Sequence, residues 1–222
     1  MKAEVEFKAP YALFTDPINR VGGEKMTYLV PTYAAVKGAL GNLYLKPSFF
    51  WVVDAIRIMN PMRTESRSIT LPHYAGGQAD MATYLYLKDV RYQVKAHTEW
   101  NTNLPYYRND WNEKKHERIL REAIERGGRL PITMGPSECP AEVCACVYGE
   151  GPGFYDGFNM DLGVMEHCVL HNTEGYDEMT RTNPITVHFW HAVMNKGEIV
   201  FPRPDQCTIR KPLIRAFGKE GA

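Results

Sequence analysis

Strict alternation of apolar and polar residues at positions 90–97 constrains the fold of this chain more than any other feature. The apolar set is Val90, Tyr92, Val94 and Ala96, and the polar set is Arg91, Gln93, Lys95 and His97. Successive side chains of a β-strand point to opposite faces of a sheet, so this period of two predicts a half-buried strand. The strand has a basic outer face. The chain must therefore form a sheet with one buried and one solvated face.

An amphipathic helix is predicted after this strand, in residues 111–126. Asp110 and Glu113 have the spacing of a capping box, and Gly127 and Gly128 provide a stop signal. One helix face has the spacing i, i+4, i+7 and i+8 and consists of His116, Leu120, Ala123 and Ile124. The inward side of the helix therefore carries a histidine at its open end. A partly buried or capping histidine is the structural alternative.

The predicted elements of the first two thirds of the chain occur in the order strand, helix, strand, strand, helix, strand. The first strand covers residues 5–14 and is broken near Pro10, and Thr32 caps a helix that ends before Lys46 and Pro47. The other strands are predicted at 49–59, at 90–97 and at 143–148, with a long loop that includes residues 63–77.

This order matches a ferredoxin-like βαββαβ unit, which RNA-recognition (RRM-like) domains also use. Later strands are predicted at 160–170, 185–194 and 198–201, the last two joined by a hairpin turn at 195–197. The predicted fold class is α+β. It comprises a ferredoxin-like domain in residues 1–149 and a β-rich C-terminal extension in residues 150–222.

Charge and composition limit the classes of function. The 26 Lys and Arg residues balance 26 Asp and Glu residues, so a polyanion site must be a local patch. The N-terminal residues contain no apolar signal core, and no apolar run approaches a membrane span. The five cysteines are odd in number and scattered, which does not suggest a disulfide framework. We expect a cytoplasmic protein with reduced thiols and no membrane contact.

A zinc site is the main metal-based alternative. Its candidate ligands are Cys139, Cys144, Cys146, His167, Cys168 and His171. Their spacings fit no closed zinc module, and small buried cysteines explain them as well. The glycine-rich residues 149–157 lack the Lys-Ser/Thr ending of a phosphate loop, and a Cys/His protease-like pair has no supporting signature. No metal and no cofactor is therefore expected.

The remaining candidate site consists of Tyr44, Lys115 and His116. The two helices of a βαββαβ unit pack side by side on one sheet face, so residues at their ends can approach each other. These side chains suffice for metal-independent RNA cleavage, with one group taking the ribose 2′-hydroxyl proton, a cation stabilising the phosphorane and a donor protonating the 5′-oxygen. The structural alternative is a core tyrosine at a helix end and a solvated lysine.

Many short motifs in one order resemble the CRISPR-associated Cas-five family, d (Dvulg, type I-C) subtype. They are ALFTDP at 12–17, GGEKMTY at 22–28, VPTY at 30–33, LYLKP at 43–47, TES at 64–66, YLKDVRYQVKAH at 86–97, EKKH at 113–116, ERGGR at 125–129, GFYDG at 153–157 and FPRPDQC at 201–207. Departures from the family pattern are Leu45, where a tryptophan is usual, and Pro136 and Ser137, where an aliphatic residue and an arginine are usual.

The resemblance implies a function as well as a fold. It implies a pre-crRNA-processing endoribonuclease that cuts the CRISPR repeat transcript at the base of its hairpin without metal. The enzyme then keeps the 5′ handle of the guide RNA in the type I-C Cascade complex. Its partners would be repeat and guide RNA, the backbone and large subunits of that complex and, through the complex, target double-stranded DNA. The family's catalytic residues fall on Tyr44, Lys115 and His116. The rival hypothesis is a non-catalytic subunit that only binds the 5′ handle.

Basic residues elsewhere are candidates for contact with RNA. They are Arg20, Lys25, Lys37, Arg91, Lys95, His97, Arg126 and Arg129. For each of them, a solvated surface position is the structural alternative.

Overall fold

One large, mostly antiparallel sheet organises the protein, for which a computed structural model describes residues 1–15, 25–71 and 80–212. The first part contains β1 (Lys2–Ala12), β2 (Lys25–Met26), α1 (Tyr33–Leu43), β3 (Phe49–Ile58), β4 (Arg63–Leu71), β5 (Asp80–Trp100), α2 (Glu113–Glu125) and β6 (Glu142–Ala145). The second part contains β7 (Asn159–His171), α3 (Glu178–Thr182), β8 (Ile185–Asn195), β9 (Glu198–Val200) and β10 (Ile209–Pro212). Short 3-10 helices cover Pro105–Asp110, Asn172–Glu174 and Pro204–Gln206.

The strands follow the order β10–β8–β9–β3–β5–β1–β6 across the sheet. In addition, β2 and β4 pair with β5, and β7 pairs with β8. All of these pairs are antiparallel except the short one between β2 and β5. Helix α1 packs on β3 and β7, whereas α2 packs beside β6 and contacts α1. The two helices are therefore neighbours, as the βαββαβ order predicts.

The apolar residues of β5 form the buried face of the strand, as predicted. Val90, Tyr92, Val94 and Ala96 are all buried in the main hydrophobic cluster. The outer face is less solvated than predicted, because Gln93 is only 3% exposed. Its amide donates to the Glu150 carbonyl at 2.9 Å, and its oxygen accepts from the Gly149 amide at 2.9 Å. The glycine-rich segment therefore packs against the sheet instead of forming a phosphate loop.

Two predictions for the first half of the sheet were wrong. Strand β1 continues through Pro10, because β6 pairs only with residues 5–8 and the missing N–H interrupts no ladder on that side. The predicted long loop contains strand β4, paired with the first half of β5. Most residues of β4 are exposed and polar, so this hairpin lacks the alternation that marks a half-buried strand. Gly76 and Gly77 lie outside the described residues.

Helix α1 begins and ends as predicted. The Thr32 hydroxyl caps it by accepting from the Ala35 amide at 3.2 Å, and its inner face is buried. The cap of α2 differs from the prediction. Asn112, and not Asp110, is the N-cap, and its side chain accepts from the Lys115 amide at 3.1 Å. Asp110 instead ends the preceding 3-10 helix, where its side chain is available for other contacts.

The stop signal after α2 is confirmed. The Gly128 amide donates to the Ala123 carbonyl and the Gly127 amide to the Ile124 carbonyl, at 2.8 and 3.0 Å, which is a Schellman motif. Gly128 has a φ of +112°, and a Cβ there would lie 2.8 Å from the Leu130 carbonyl oxygen. The chain then crosses to α1, where the Leu130 amide donates to the Asn42 carbonyl at 3.0 Å.

The C-terminal strands continue the same sheet. The predicted strands and hairpin are present, and the turn has positive φ values of 49° at Lys196 and 77° at Gly197. Strand β9 pairs with β3, and the main hydrophobic cluster includes residues from before and after residue 150. The division into residues 1–149 and 150–222 stays a prediction.

Candidate active site

Tyr44 and His116 form a direct side-chain contact between the two helices. Tyr44 is the C-cap residue of α1, and His116 lies in the first turn of α2. The Tyr44 hydroxyl is 2.7 Å from His116 Nδ1. Both side chains are 0% exposed. The structure therefore brings together two of the three predicted site residues, from elements 72 positions apart in the chain.

The other ring nitrogen fixes the protonation pattern of this pair. His116 Nε2 lies 2.7 Å from the Asp110 main-chain carbonyl oxygen. A carbonyl oxygen can only accept a hydrogen bond, so Nε2 carries a proton. In the neutral ring Nδ1 is then unprotonated and accepts from the Tyr44 hydroxyl. The imidazole is thus oriented with its basic nitrogen toward the tyrosine.

Lys115 joins the pair through Asp110. Its ammonium group lies 2.5 Å from Asp110 Oδ1, and the Ser48 hydroxyl donates to Oδ2 at 2.9 Å. Asp110 Oδ2 is also 3.5 Å from His116 Nε2. The hydrogen bond from Lys115 lowers the pKa of Asp110 below its ordinary value, so the side chain is a carboxylate at neutral pH. Lys115 does not touch Tyr44 or the imidazole directly in the contacts observed.

Aromatic rings surround the imidazole on its remaining sides. The Phe49 ring meets it edge-on at a centroid distance of 5.4 Å, and Trp100 lies 5.6 Å away. The Trp51 indole donates to the Tyr44 carbonyl at 2.7 Å, which anchors the end of α1. Burial raises the pKa of Tyr44, and the negative charge of Asp110 raises it further. Tyr44 therefore holds its proton firmly in the absence of a substrate.

A basic depression lies next to this pair. It has a volume of about 390 Å³ and is lined by Lys46, Lys115, Ile119, Arg126, Gly128 and Arg129. The Arg129 guanidinium lies over the Tyr44 ring at 5.5 Å from its centroid. Four cationic side chains thus cluster beside the tyrosine–histidine pair, and they form a local positive patch on a chain of zero net charge.

Two of the eight predicted RNA contacts, Arg126 and Arg129, thus lie at the site. Lys25 is placed elsewhere, with its ammonium 4.5 Å from the Tyr84 ring centroid. Lys37 forms an ion pair with Glu174 at 2.9 Å and is mostly buried. Arg20 lies outside the described residues.

The three candidates on the outer face of β5 have partners of their own. Arg91 pairs with Glu6 at 2.9 Å, and Lys95 lies 5.9 Å from the Tyr148 ring centroid. His97 is 2.9 Å from Asp54. This face therefore mixes charges of both signs, whereas the sequence predicted a basic face. Acidic partners on the neighbouring strands could not be assigned from the alternation in β5 alone.

Sequence reasoning missed the role of Asp110 and Ser48 at the site. The capping-box spacing assigned Asp110 to the helix backbone, and nothing near Ser48 in the sequence indicates a partner 62 positions away. Asn112 is also a favoured N-cap residue and is closer to the helix. Assigning the cap to Asn112 would have indicated that the Asp110 side chain has a different partner.

The zinc alternative receives no support from the geometry. Within residues 1–15, 25–71 and 80–212, no group of three or more His, Cys, Asp or Glu side chains is arranged to hold a metal ion. All five cysteines lie in these ranges, and each is a free thiol. In the same part of the chain, no helix combines the length and the apolar character needed to cross a membrane.

The fold and site define an α+β protein with a hydrogen-bonded tyrosine–histidine pair beside a basic depression. The chain belongs to the CRISPR-associated protein (Cas_Cas5) family, because the Cas5d model of that family matches residues 4–202.

Relatives and solved structures agree with this membership. A CRISPR pre-crRNA endoribonuclease Cas5d from Mannheimia succiniciproducens is 29% identical over 86% of this chain and 91% of the relative. A protein of the same name from Thermus thermophilus is 28% identical over 74% and 71%. A solved structure described as a CRISPR-associated protein has a TM-score of 0.77 at 28% identity, covering 95% of this chain and 96% of that one. A functionally uncharacterized protein from Streptococcus mutans has a TM-score of 0.74 at 29% identity, with 95% and 97% covered.

Proposed function

We propose that this protein is a metal-independent endoribonuclease that cleaves CRISPR repeat RNA at the base of its hairpin to yield guide RNA. The observation that carries the proposal is the 2.7 Å hydrogen bond between Tyr44 and His116 at the edge of a basic depression. Membership of the Cas5 family and two relatives named as pre-crRNA endoribonucleases support this choice of substrate.

The chemistry follows from the three side-chain types. The ribose 2′-oxygen forms a bond to the adjacent phosphorus, its proton passes to the Tyr44–His116 pair, and the bond from phosphorus to the 5′-oxygen breaks. The leaving 5′-oxygen takes a proton from water, which gives a 2′,3′-cyclic phosphate and a 5′-hydroxyl. Lys115 stabilises the negative charge of the phosphorane. Each acid or base step contributes roughly 100- to 10,000-fold in rate.

Substrate binding must open the site, because neither Tyr44 nor His116 reaches solvent. Arg129 is exposed and lies over the Tyr44 ring, so a phosphate that attracts its guanidinium draws it away from the ring. The Lys115 side chain is 47% exposed, and its ammonium group can exchange Asp110 for the phosphate. Both movements involve long, solvent-accessible side chains and leave the two helices in place.

The wider proposal concerns the fold and the complex. The order β6–β1–β5–β3, with α1 and α2 side by side, supports a ferredoxin-like unit in residues 1–149, followed by the β-rich extension. After cleavage the protein retains the 5′ handle of the guide RNA in a type I-C Cascade, in contact with its backbone and large subunits. This work takes place in the cytoplasm, where thiols are reduced.

Full burial of both rings favours a second candidate function. A subunit that only binds the 5′ handle needs the basic depression and does not need access to Tyr44 or His116. Incubation of the purified protein with the repeat RNA of its own locus separates the two functions. Cleavage by the wild-type protein supports the enzyme, and binding without cleavage supports the subunit.

Adjacent lysines provide a matched pair of variants for this assay. Lys114 and Lys115 are both exposed, but only Lys115 lines the depression and contacts Asp110. We expect Lys115→Ala to lower the cleavage rate at least 100-fold, while Lys114→Ala cleaves as the wild type does. Equal rates for the two variants would contradict the assignment of Lys115. A chelator should leave all of these rates unchanged, and a rate that depends on added metal would refute metal independence.

A further inference from the structure

Asp110 contacts two of the three candidate catalytic residues, His116 and Lys115. Tyr44, by comparison, contacts only His116 among the three. The Asp110 main-chain oxygen accepts from His116 Nε2 at 2.7 Å, and the Asp110 carboxylate contacts Lys115 at 2.5 Å and Ser48 at 2.9 Å. The side chain is one quarter exposed, and it contacts both the buried His116 ring and Lys115, which lines the basic depression. A capping role does not account for these contacts, because Asn112 caps α2.

We propose that Asp110 is the positioning residue of this site. Its main-chain carbonyl fixes the tautomer of His116, and its carboxylate stabilises the positive charge that forms when His116 takes a proton from Tyr44. The inference rests on the proposed nuclease function and adds a residue and an order of proton transfer to it. In this order, Tyr44 exchanges the proton with the RNA directly, and His116 exchanges it with Tyr44.

The 2′-hydroxyl proton moves to the Tyr44 oxygen as the Tyr44 proton moves to His116 Nδ1, and the 2′-oxygen attacks the phosphorus. The bond from phosphorus to the 5′-oxygen breaks, and the 5′-oxygen takes a proton from water. Tyr44 ends neutral, and His116 becomes an imidazolium with protons on both nitrogens. The raised pKa of Tyr44 argues against a free phenolate, so the two transfers occur together. The imidazolium then lies with Nε2 3.5 Å from the Asp110 carboxylate.

A negative charge at this distance favours the protonated ring, whereas burial among aromatic rings disfavours it. The titratable and charged groups around the His116 ring are Tyr44 from α1, Asp110 from the 3-10 helix and Lys115 from α2, with Arg129 on the far side of Tyr44. Phe49 and Trp100 cover the remaining sides without charge. Asp110 thus supplies a carboxylate close to the ring, with Oδ2 3.5 Å from His116 Nε2.

Asp110→Asn is the variant that tests this role. It keeps the main-chain carbonyl, and its side-chain oxygen can still accept from Ser48, but it removes the charge. Glu117→Gln is the matched control, because it removes the same charge from an exposed position in α2. Thermal unfolding of both variants shows whether the fold is retained.

NMR of ¹⁵N-histidine-labelled protein tests the inference without relying on cleavage. The His116 signals are assigned by their loss in His116→Ala. We expect protonated Nε2 and unprotonated Nδ1 in the neutral ring of the wild type. In Asp110→Asn the ring should take up its second proton only at a lower pH than in the wild type, because the neighbouring negative charge is gone. A ring protonated on Nδ1, or an unchanged titration in Asp110→Asn, would overturn the inference.

Cleavage kinetics then test the effect on the reaction. We expect Asp110→Asn to lower kcat by about 10- to 100-fold, less than loss of a whole acid–base group, with KM little changed. The ascending limb of its pH–rate profile should move to lower pH, and Glu117→Gln should change neither quantity. A raised KM with an unshifted limb would assign Asp110 to RNA binding and overturn the proposal. A wild-type protein that binds but does not cut would refute the nuclease, while the NMR titration would still decide the role of Asp110.

Discussion

Two buried histidines in this protein make nearly the same local contacts and are placed in very different surroundings. His116 and His167 are both 0% exposed, and each lies 2.7 to 2.9 Å through Nε2 from a main-chain carbonyl, of Asp110 and Pro202 respectively. Each therefore has Nδ1 as the acceptor in its neutral form. The partner of Nδ1 is the Tyr44 hydroxyl in one case and the Cys168 thiol, at 3.2 Å, in the other.

The surroundings decide which histidine can take part in proton transfer. Tyr33 stacks on His167 at a centroid distance of 4.1 Å, and Phe201 and Trp190 meet it edge-on. Burial lowers the pKa of His167 to about 3, and the hydrogen bond to Pro202 offsets this only in part. His116 instead has a carboxylate within reach and a basic depression beyond its tyrosine. A buried, hydrogen-bonded histidine is thus insufficient evidence of catalysis without a counter-charge and an approach for substrate.

The largest expected effect comes from removing the hydrogen-bond partner of His116 Nδ1, compared with removing the partner of His167 Nδ1. Tyr44→Phe keeps the ring and deletes the hydroxyl, so we expect cleavage to fall roughly 100- to 10,000-fold. Cys168→Ala removes the corresponding partner of His167 and should leave the cleavage rate of the folded protein unchanged. Single-turnover cleavage of repeat RNA measures both variants. A comparable loss of rate in Cys168→Ala would mean that the two histidines do not differ in the way described.

The loop after α2 allows a second comparison, because it carries Arg129 toward Tyr44. Gly128→Ala places a Cβ at positive φ against the Leu130 carbonyl, so we expect it to lower the free energy of unfolding by about 2 to 3 kcal/mol. Gly127→Ala meets no atom within 4 Å and should cost only about 1 kcal/mol. Urea unfolding measures both. Equal losses would show that the close approach at Gly128 does not constrain the loop.

The depressed pKa of His167 predicts a pH dependence of stability. The unfolded chain binds this proton near the ordinary pKa of 6.5 and the folded protein only near 3, so stability falls as the pH decreases through this window. Between pH 7 and pH 5.5 the loss from His167 is about 1 kcal/mol. His167→Phe cannot titrate, so its loss over the same interval should be smaller by that amount. Urea unfolding at both pH values measures the difference, and an unchanged pH dependence would contradict the burial argument.

The smallest expected effect concerns the depression at the His116 site. Arg126→Ala should reduce the slope of log affinity against log salt concentration for repeat RNA by about one. Arg118→Ala, on an exposed part of the same helix and outside the depression, should leave that slope unchanged. Filter binding between 50 and 200 mM salt, roughly the range in which counterion release is large, measures both variants. Equal slopes would place the RNA elsewhere.

Some elements of the fold could be predicted from the sequence, and others could not. The period of β5, the Thr32 cap of α1 and the Gly127-Gly128 stop of α2 are local signals, and each predicted its element. Local rules failed where exposure or a long-range partner decides the outcome. The exposed hairpin of β4 and β5 has no buried face to produce alternation, and the outer-face charges of β5 are balanced by Glu6 and Asp54 from other strands.

Within the candidate site, the sequence predicted Tyr44, Lys115 and His116 but not how they are connected. Tyr44 and His116 meet because each lies at the end of one of two neighbouring helices. The link through Asp110 and Ser48 depends on side-chain directions in a 3-10 helix and at the start of a strand, which no periodicity encodes. For the same reason, nothing in the sequence separates the surroundings of His116 from those of His167.

One measurement tests the central claim that the Tyr44–His116 pair supports metal-independent cleavage through the 2′-hydroxyl. The cut position is first mapped on unmodified repeat RNA, and a second RNA carries a single 2′-deoxy nucleotide at the attacking position. Cleavage in the presence of chelator and binding to each RNA are then measured. The account predicts that the modified RNA binds with nearly the same affinity and is not cut. Cutting of the 2′-deoxy RNA at the same position would contradict it.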